Sequence, residues 1–207
     1  MDSAGILAVI AAMSKKIEEE KDYLTELDNS TGDGDHGINM ARGFAAVESK
    51  LPQLVDKDIS TILKTVGMTL ASVVAGTAGP LFGTVFMKAG GVMTGKSDMT
   101  LEDFIECMKA ATDGVMMRGK AVKGEKTMLD SMLPALEAME NDYSKGLTGK
   151  EVLESGIKAA KEGLEFTKTI AATKGRASYI GARSIEYQDP GATSFTLLLE
   201  VIANECK

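Results

Sequence analysis

Asp28-Asn29-Ser30-Thr31-Gly32-Asp33-Gly34-Asp35-His36-Gly37 is the break from which the rest of the chain is read, with three carboxylates, three glycines and the only histidine in ten residues. Carboxylates this close repel one another, and a hard divalent cation would reverse that sign. Oxygen-only ligands suit Mg²⁺ or Ca²⁺ better than zinc. The glycines permit tight turning and leave room for a bulky ligand. An EF-hand does not fit. Counted from Asp33 the twelfth position is Phe44, and counted from Asp28 it is Asn39, so the bidentate Glu is absent in both registers. The plainer alternative is that Asp35 caps a helix beginning near Gly37 and Asp33-Gly34 is a turn. It accounts for two carboxylates and leaves Asp28 over.

On either side of this loop the spacing is helical. Ile6, Val9, Ile10, Met13 and Ile17 form one stripe, and a second helix is expected from about Asp22 to Leu27. A third carries Met40, Phe44 and Val47 and stops near Pro52. Asp58 starts a fourth, Pro80 a fifth as a first-turn residue, and Thr100 caps a sixth. A seventh follows Lys126, with Pro134 starting or bending it. Thr148-Gly149-Lys150-Glu151 is a capping box that opens a long helix through Ile170, ending around Lys174-Gly175. Asp189-Pro190-Gly191 reads as cap and first-turn proline for the last helix, Phe195 to Ile202. No useful strand alternation and no low-complexity linker interrupt this pattern. The expected architecture is all-α, one domain over residues 1–207, with about eight or nine helices.

Composition narrows the function. A chain of 207 residues can bury about 70% of its unfolded surface. The net charge of −7 and pI near 4.9 argue against nucleic acid and anionic membranes as general partners. Cys107 and Cys206 fit no zinc or redox spacing, as in a reduced cytoplasmic protein. Ile6 to Met13 is apolar but follows Asp2 and is far too short to span a bilayer, so no export signal or membrane segment is expected. Thirteen methionines beside few aromatics suit a pliable helix-packed interior.

The other loops carry anion-binding chemistry. Gly76-Thr77-Ala78-Gly79-Pro80 ends one helix and opens another, where free N–H groups and the positive dipole end can meet an anion; an ordinary interhelical turn has the same composition. Gly90 to Ser97 satisfies the P-loop pattern, but it lacks a preceding strand and a helix opening at its Lys96-Ser97. Arg118-Gly119-Lys120, Gly124-Glu125-Lys126-Thr127-Met128 and Gly175-Arg176-Ala177-Ser178-Tyr179 are basic connections. They can clamp phosphate or merely neutralise helix C-termini.

At these residues the chain resembles the DhaL family, the nucleotide-binding subunits of dihydroxyacetone kinase. The acidic loop, Gly79-Pro80-Leu81-Phe82-Gly83-Thr84, Lys126-Thr127-Met128, Gly175-Arg176-Ala177-Ser178-Tyr179 and Asp189-Pro190-Gly191-Ala192 occur in the family's order over essentially the whole chain. The resemblance implies a closed barrel of about eight antiparallel helices with the nucleotide in the loops at one rim. It implies that Asp28, Asp33 and Asp35 hold two Mg²⁺ ions against ADP (ATP when phosphorylated). His36, Gly37, Ile38, Asn39, Thr77 and Ala78 would line phosphates and ribose, and Gly119 and Met128 the base. Arg176, the expected catalytic residue, and Asp189-Pro190-Gly191 would close the site. The implied activity is phosphoryl transfer from a phosphohistidine subunit of the phosphotransferase system, through bound ADP, to dihydroxyacetone on a separate subunit. A regulatory nucleotide-binding module contacting a transcription factor is the alternative. The family usually has serine where this chain has Ala78. Three carboxylates and a diphosphate carry about six negative charges, of which two Mg²⁺ offset four, with Arg176 and Lys126 as candidates for the rest. His36 beside metal-binding carboxylates is a poor phosphohistidine.

Overall fold

The computed structural model describes residues 1–206. Nine α-helices occur in it: α1 (Ser3–Glu19), α2 (Lys21–Thr31), α3 (His36–Glu48), α4 (Ile59–Val73), α5 (Ala78–Val92), α6 (Leu101–Gly119), α7 (Leu129–Ser144), α8 (Gly149–Thr167) and α9 (Pro190–Glu205). Short 3-10 helices occupy Leu51–Gln53 and Arg176–Ser184, and no strand occurs among the described residues.

The helix starts follow from local capping chemistry. Asp58 accepts from the Thr61 N–H, Asp189 from Ala192, and both Thr100–Asp103 and Thr148–Glu151 form reciprocal capping boxes. Other boundaries depart from the sequence expectation. The second helix runs on to Thr31, which puts Asp28 in its last turn. The fifth opens at Ala78, ahead of Pro80, and the last already at Pro190. The eighth stops at Thr167, short of Ile170 and Gly175. Its Thr167 carbonyl and that of Ile170 beyond it accept from the Lys126 ammonium. They are thereby taken from the N–H groups that would have continued the helix.

Helices α3 through α9 pack each on the next, and α1 closes the ring by packing on both α9 and α3. Eight helices thus make a barrel, with α2 lying outside against α3 and α9. The stripe Ile6, Val9, Ile10, Met13 and Ile17 is buried, as are Met40, Phe44, Ile62, Val66, Met132 and Leu199. Each such side chain contributes roughly 1.5–3 kcal/mol through removal from water. Phe44 and Phe86 meet edge to face at 6.5 Å between ring centroids. Alternation up and down brings the N-termini of α3, α5, α7 and α9 to one rim, where their loops enclose a cleft. The P-loop-like stretch lies a helix length away: Gly90 and Gly91 are inside α5, and Lys96 pairs with Asp103. Among the described residues no helix is long and apolar enough to cross a membrane.

Candidate active site

The cleft has a volume of about 460 Å³. Its acidic wall is built by the end of α2 and the start of α3. Asp28 Oδ2 accepts from the backbone N–H groups of Asp35 (2.9 Å) and His36 (3.1 Å). Asp28 therefore satisfies first-turn donors of α3, while Asp35, at the cap position, makes no side-chain capping bond. The alternative of a merely capping Asp35 is thereby overturned. The turn requires glycine twice. A Cβ at Gly32 would stand 2.0 Å from Asp28 Oδ1, and Gly34 has φ +73° with its Cβ position 1.9 Å from Asn29 Oδ1. One carboxylate oxygen from each of Asp28, Asp33 and Asp35 lies within 4.8 Å of the others. Three convergent carboxylates, one nearly buried and one exposed, are a donor set that fits a hard cation.

Arg176 reaches this cluster from the opposite wall. Its Nη2 is 2.8 Å from Asp33 Oδ2. Gly175 before it has φ +62° but ends no helix; it leads into the 3-10 turn instead. Lys126 differs from expectation. The residue is 2% exposed, and its ammonium donates to the carbonyls of Thr167, Ile170 and Tyr187. It is a buried tie, not a free cation for phosphate, and burial lowers its pKa against the pull of Asp189 and Asp130.

His36, Asn39, Thr77, Ala78, Gly119, Met128, Asp189, Pro190 and Gly191 all line the same cleft. Gly37 and Ile38 do not. Gly37 packs on α2, where a Cβ would meet the Lys21 carbonyl oxygen at 2.0 Å, and Ile38 is exposed. Both lie in the first turn of α3, where N–H groups have no intrahelical acceptor. The His36 residue is half-buried, with ring Nε2 2.8 Å from Ser194 Oγ on α9. Burial lowers its pKa against the opposing charges of Asp28 and Asp35. With Nε2 engaged by Ser194, the ring is held against α9 rather than turned free to accept a phosphoryl group.

Thr77 precedes α5 and makes no side-chain capping bond, so its hydroxyl remains available beside Ala78. Gly79 is needed for packing: its Cβ would lie 2.1 Å from the Val74 carbonyl oxygen. The apolar wall comprises Leu81, Ala121 and Met128 beside Gly119. Asp189 caps α9 through the Ala192 N–H at 2.7 Å, and burial pushes its carboxyl up to about 7. Arg118 and Lys174 also line the cleft. Their only sequence signal is a place in basic, glycine-containing loops. A metal-competent carboxylate cluster, helix N-termini, an apolar slot and an arginine in one cleft can hold a phosphorylated, flat-based ligand and stabilise charge on its phosphates.

Comparison with known proteins points the same way. The family described as DAK2 domain matches residues 30–204. The chain is 45% identical over 188 residues to the PEP-dependent dihydroxyacetone kinase, ADP-binding subunit DhaL, of Escherichia coli (strain K12), covering 91% of this chain and 90% of that protein. It is 40% identical over 209 residues to the ADP-binding subunit DhaL of PEP-dependent dihydroxyacetone kinase 2 from Listeria innocua, covering 100% of this chain and 96% of that one. The fold is similar to that of the C. freundii dihydroxyacetone kinase solved in complex with AMP-PNP and Mg²⁺, with a TM-score of 0.75 and 22% identity. That alignment covers 99% of this chain and 34% of the longer kinase chain.

Proposed function

This chain belongs to the DAK2-domain family, and on that premise we propose that it is the ADP-binding subunit of a phosphoenolpyruvate-dependent dihydroxyacetone kinase. It works in the cytoplasm as one unit over residues 1–207, taking phosphoryl groups from a phosphohistidine subunit and passing them to dihydroxyacetone on a separate subunit. The observation that carries the reading is the convergence of Asp28, Asp33 and Asp35 in a cleft that also holds Arg176 and the α5 N-terminus. The named functions of the relatives support it, and no observation favours a regulatory module or a transcription-factor partner.

In this reading the three aspartates hold two Mg²⁺ ions, which supply charge neutralisation across the diphosphate. The chain's own residues do the rest. First-turn N–H groups of α3 and α5 orient phosphate oxygens, with the Thr77 hydroxyl standing in for the family's serine. Gly119 and Met128 receive the base. Pro190 and Gly191 close the nucleotide side, and Asp189 fixes that turn. Arg176 stabilises charge on the transferring group, since it can fork onto two oxygens and stays protonated. With Lys126 committed to carbonyls, Lys174 and Arg118 are the further cations at hand. Phosphoryl transfer needs positioning and electrostatics more than a protein nucleophile, and the site offers those.

The experiment is to identify the nucleotide that co-purifies with the protein, released by denaturation, and to follow its loss in EDTA. ADP that is retained with Mg²⁺ and lost in EDTA supports the reading. A purified, folded protein that neither carries nor binds a purine nucleotide contradicts it.

A further inference from the structure

We propose that Lys126 is the positioning residue for Arg176: its buried ammonium ties together the two feet of the excursion 168–186, and so aims the arm that carries the guanidinium. The excursion leaves α8 after Thr167 and returns at Tyr187. Lys126 Nζ donates to the Thr167 and Tyr187 carbonyl oxygens, both at 2.5 Å, and to Ile170 at 3.4 Å. Three carbonyls match the three donors of an ammonium. The chain adopts an unfavourable conformation to place it there, with φ +59° at Lys126, in the left-handed region that favours glycine. Asp189 and Asp130 favour its charged form against burial.

The arm itself packs sparsely at its tip, so its aim depends on how its feet are held. Beyond their chain neighbours, nothing lies within 4 Å of where a Cβ would stand at Gly175 (φ +62°) or Gly181 (φ +53°), and Tyr179 between them is 84% exposed. Secondary ties lie on the same foot. Glu125, next to Lys126, accepts from the Thr173 hydroxyl at 3.1 Å and faces the Lys174 ammonium at 3.8 Å. The Ser184 hydroxyl accepts from the Ala172 N–H at 2.8 Å. From these feet Arg176 reaches Asp33. A compact ammonium suits this pocket, whereas the planar, larger guanidinium of arginine does not.

The consequence for transfer rests on the proposed function, but the anchoring itself does not. Lys126→Met keeps the stem and removes the donors. In limited trypsinolysis of the full chain, cleavage after Lys174, Arg176 and Arg183 is measured relative to cleavage after Lys145, between α7 and α8. Local release of the arm raises that ratio at least tenfold; general destabilisation raises both rates and leaves the ratio unchanged, which would overturn the proposal. If Lys126→Met does not fold, Lys126→Gln, whose amide reaches only two carbonyls, replaces it, and a wild-type ratio there would likewise overturn it. Single-turnover transfer in Lys126→Met, Arg176→Ala and the double variant then reports the link. If Lys126 acts through Arg176, the double variant is no slower than Arg176→Ala alone; multiplying losses would contradict this. Wild-type protein inactive in transfer but protected at the arm would refute the proposed function and leave the anchor standing.

Discussion

The Arg176 guanidinium stands 2.8 Å from the Asp33 carboxylate, so the arm between α8 and α9 already presents a cation to the acidic cluster. Both partners are partly exposed, with side chains at 60% and 35%. A pair this wet is worth no more than about 1 kcal/mol to the fold. In the proposed function its value lies in placing positive charge where phosphate charge would develop. Arg176→Lys is therefore expected to slow single-turnover transfer about 100- to 1,000-fold, or roughly 2–4 kcal/mol in the transition state. ADP dissociation should change much less. Equal loss in both measurements would make Arg176 a ground-state anchor only.

The three aspartates should separate in metal-free protein. Asp28 accepts two backbone N–H groups. Asp28→Ala leaves those donors unsatisfied and is expected to cost about 2–3 kcal/mol, lowering Tm by roughly 5–10 °C. Asp33→Asn should leave Tm within a degree or two of wild type, because an exposed pair contributes little. Both should lose Mg²⁺-dependent ADP retention. Calorimetric melting in EDTA, beside nucleotide analysis, checks the pair.

Asp189 makes apo stability depend on pH. Its carboxyl is pushed up to about 7 by burial, while an unfolded aspartate titrates near 3.9. Between those values the unfolded chain has lost its proton and the folded one has kept it. Stability therefore falls as pH rises from about 4 to 7, by up to roughly 4 kcal/mol. Asparagine caps a helix as well as aspartate does. Asp189→Asn should match wild type near pH 4 and exceed it above pH 7, in urea titrations without metal or nucleotide. Parallel pH profiles would show that the carboxyl is not strained by burial.

Packing gives a test of the barrel itself. Pro134 has no N–H for the Asp130 carbonyl, and that oxygen lies 1.9 Å from where a Gly163 Cβ would be. Gly163→Ala must push α8 off α7, an overpacking cost of about 1–3 kcal/mol. Thermal melting should register a drop of roughly 3–10 °C. An unchanged melting curve would mean the two helices are not in such close contact.

Much of the fold and the site is legible in the sequence because its signals are local. Asp58, Thr100, Thr148 and Asp189 announce helix starts through partners three residues away. The acidic loop announces a convergent carboxylate cluster by charge and glycine alone. What the sequence hides depends on distant partners. The end of α8 is set by Lys126, 41 residues from Thr167 in sequence. Lys126 itself has the sequence context of a phosphate ligand, and only its carbonyl partners show otherwise. The extension of α2 to Thr31 follows from Asp28 reaching forward to the α3 first turn. The P-loop pattern misleads for the opposite reason: Lys96 has its matching residue spacing without the strand that gives that spacing meaning. Lys96→Ala should accordingly leave ADP retention unchanged, by the same nucleotide analysis.

The most direct test of the central claim is phosphoryl transfer by the assembled system. The purified protein is mixed with a phosphorylated phosphohistidine subunit, a dihydroxyacetone-binding subunit and dihydroxyacetone, and triose phosphate is measured over time. Production of dihydroxyacetone phosphate that requires this chain, requires Mg²⁺ and disappears in Asp35→Asn is the expected result. A mixture that makes no triose phosphate although ADP is bound, or makes it equally well without this chain, would contradict the claim.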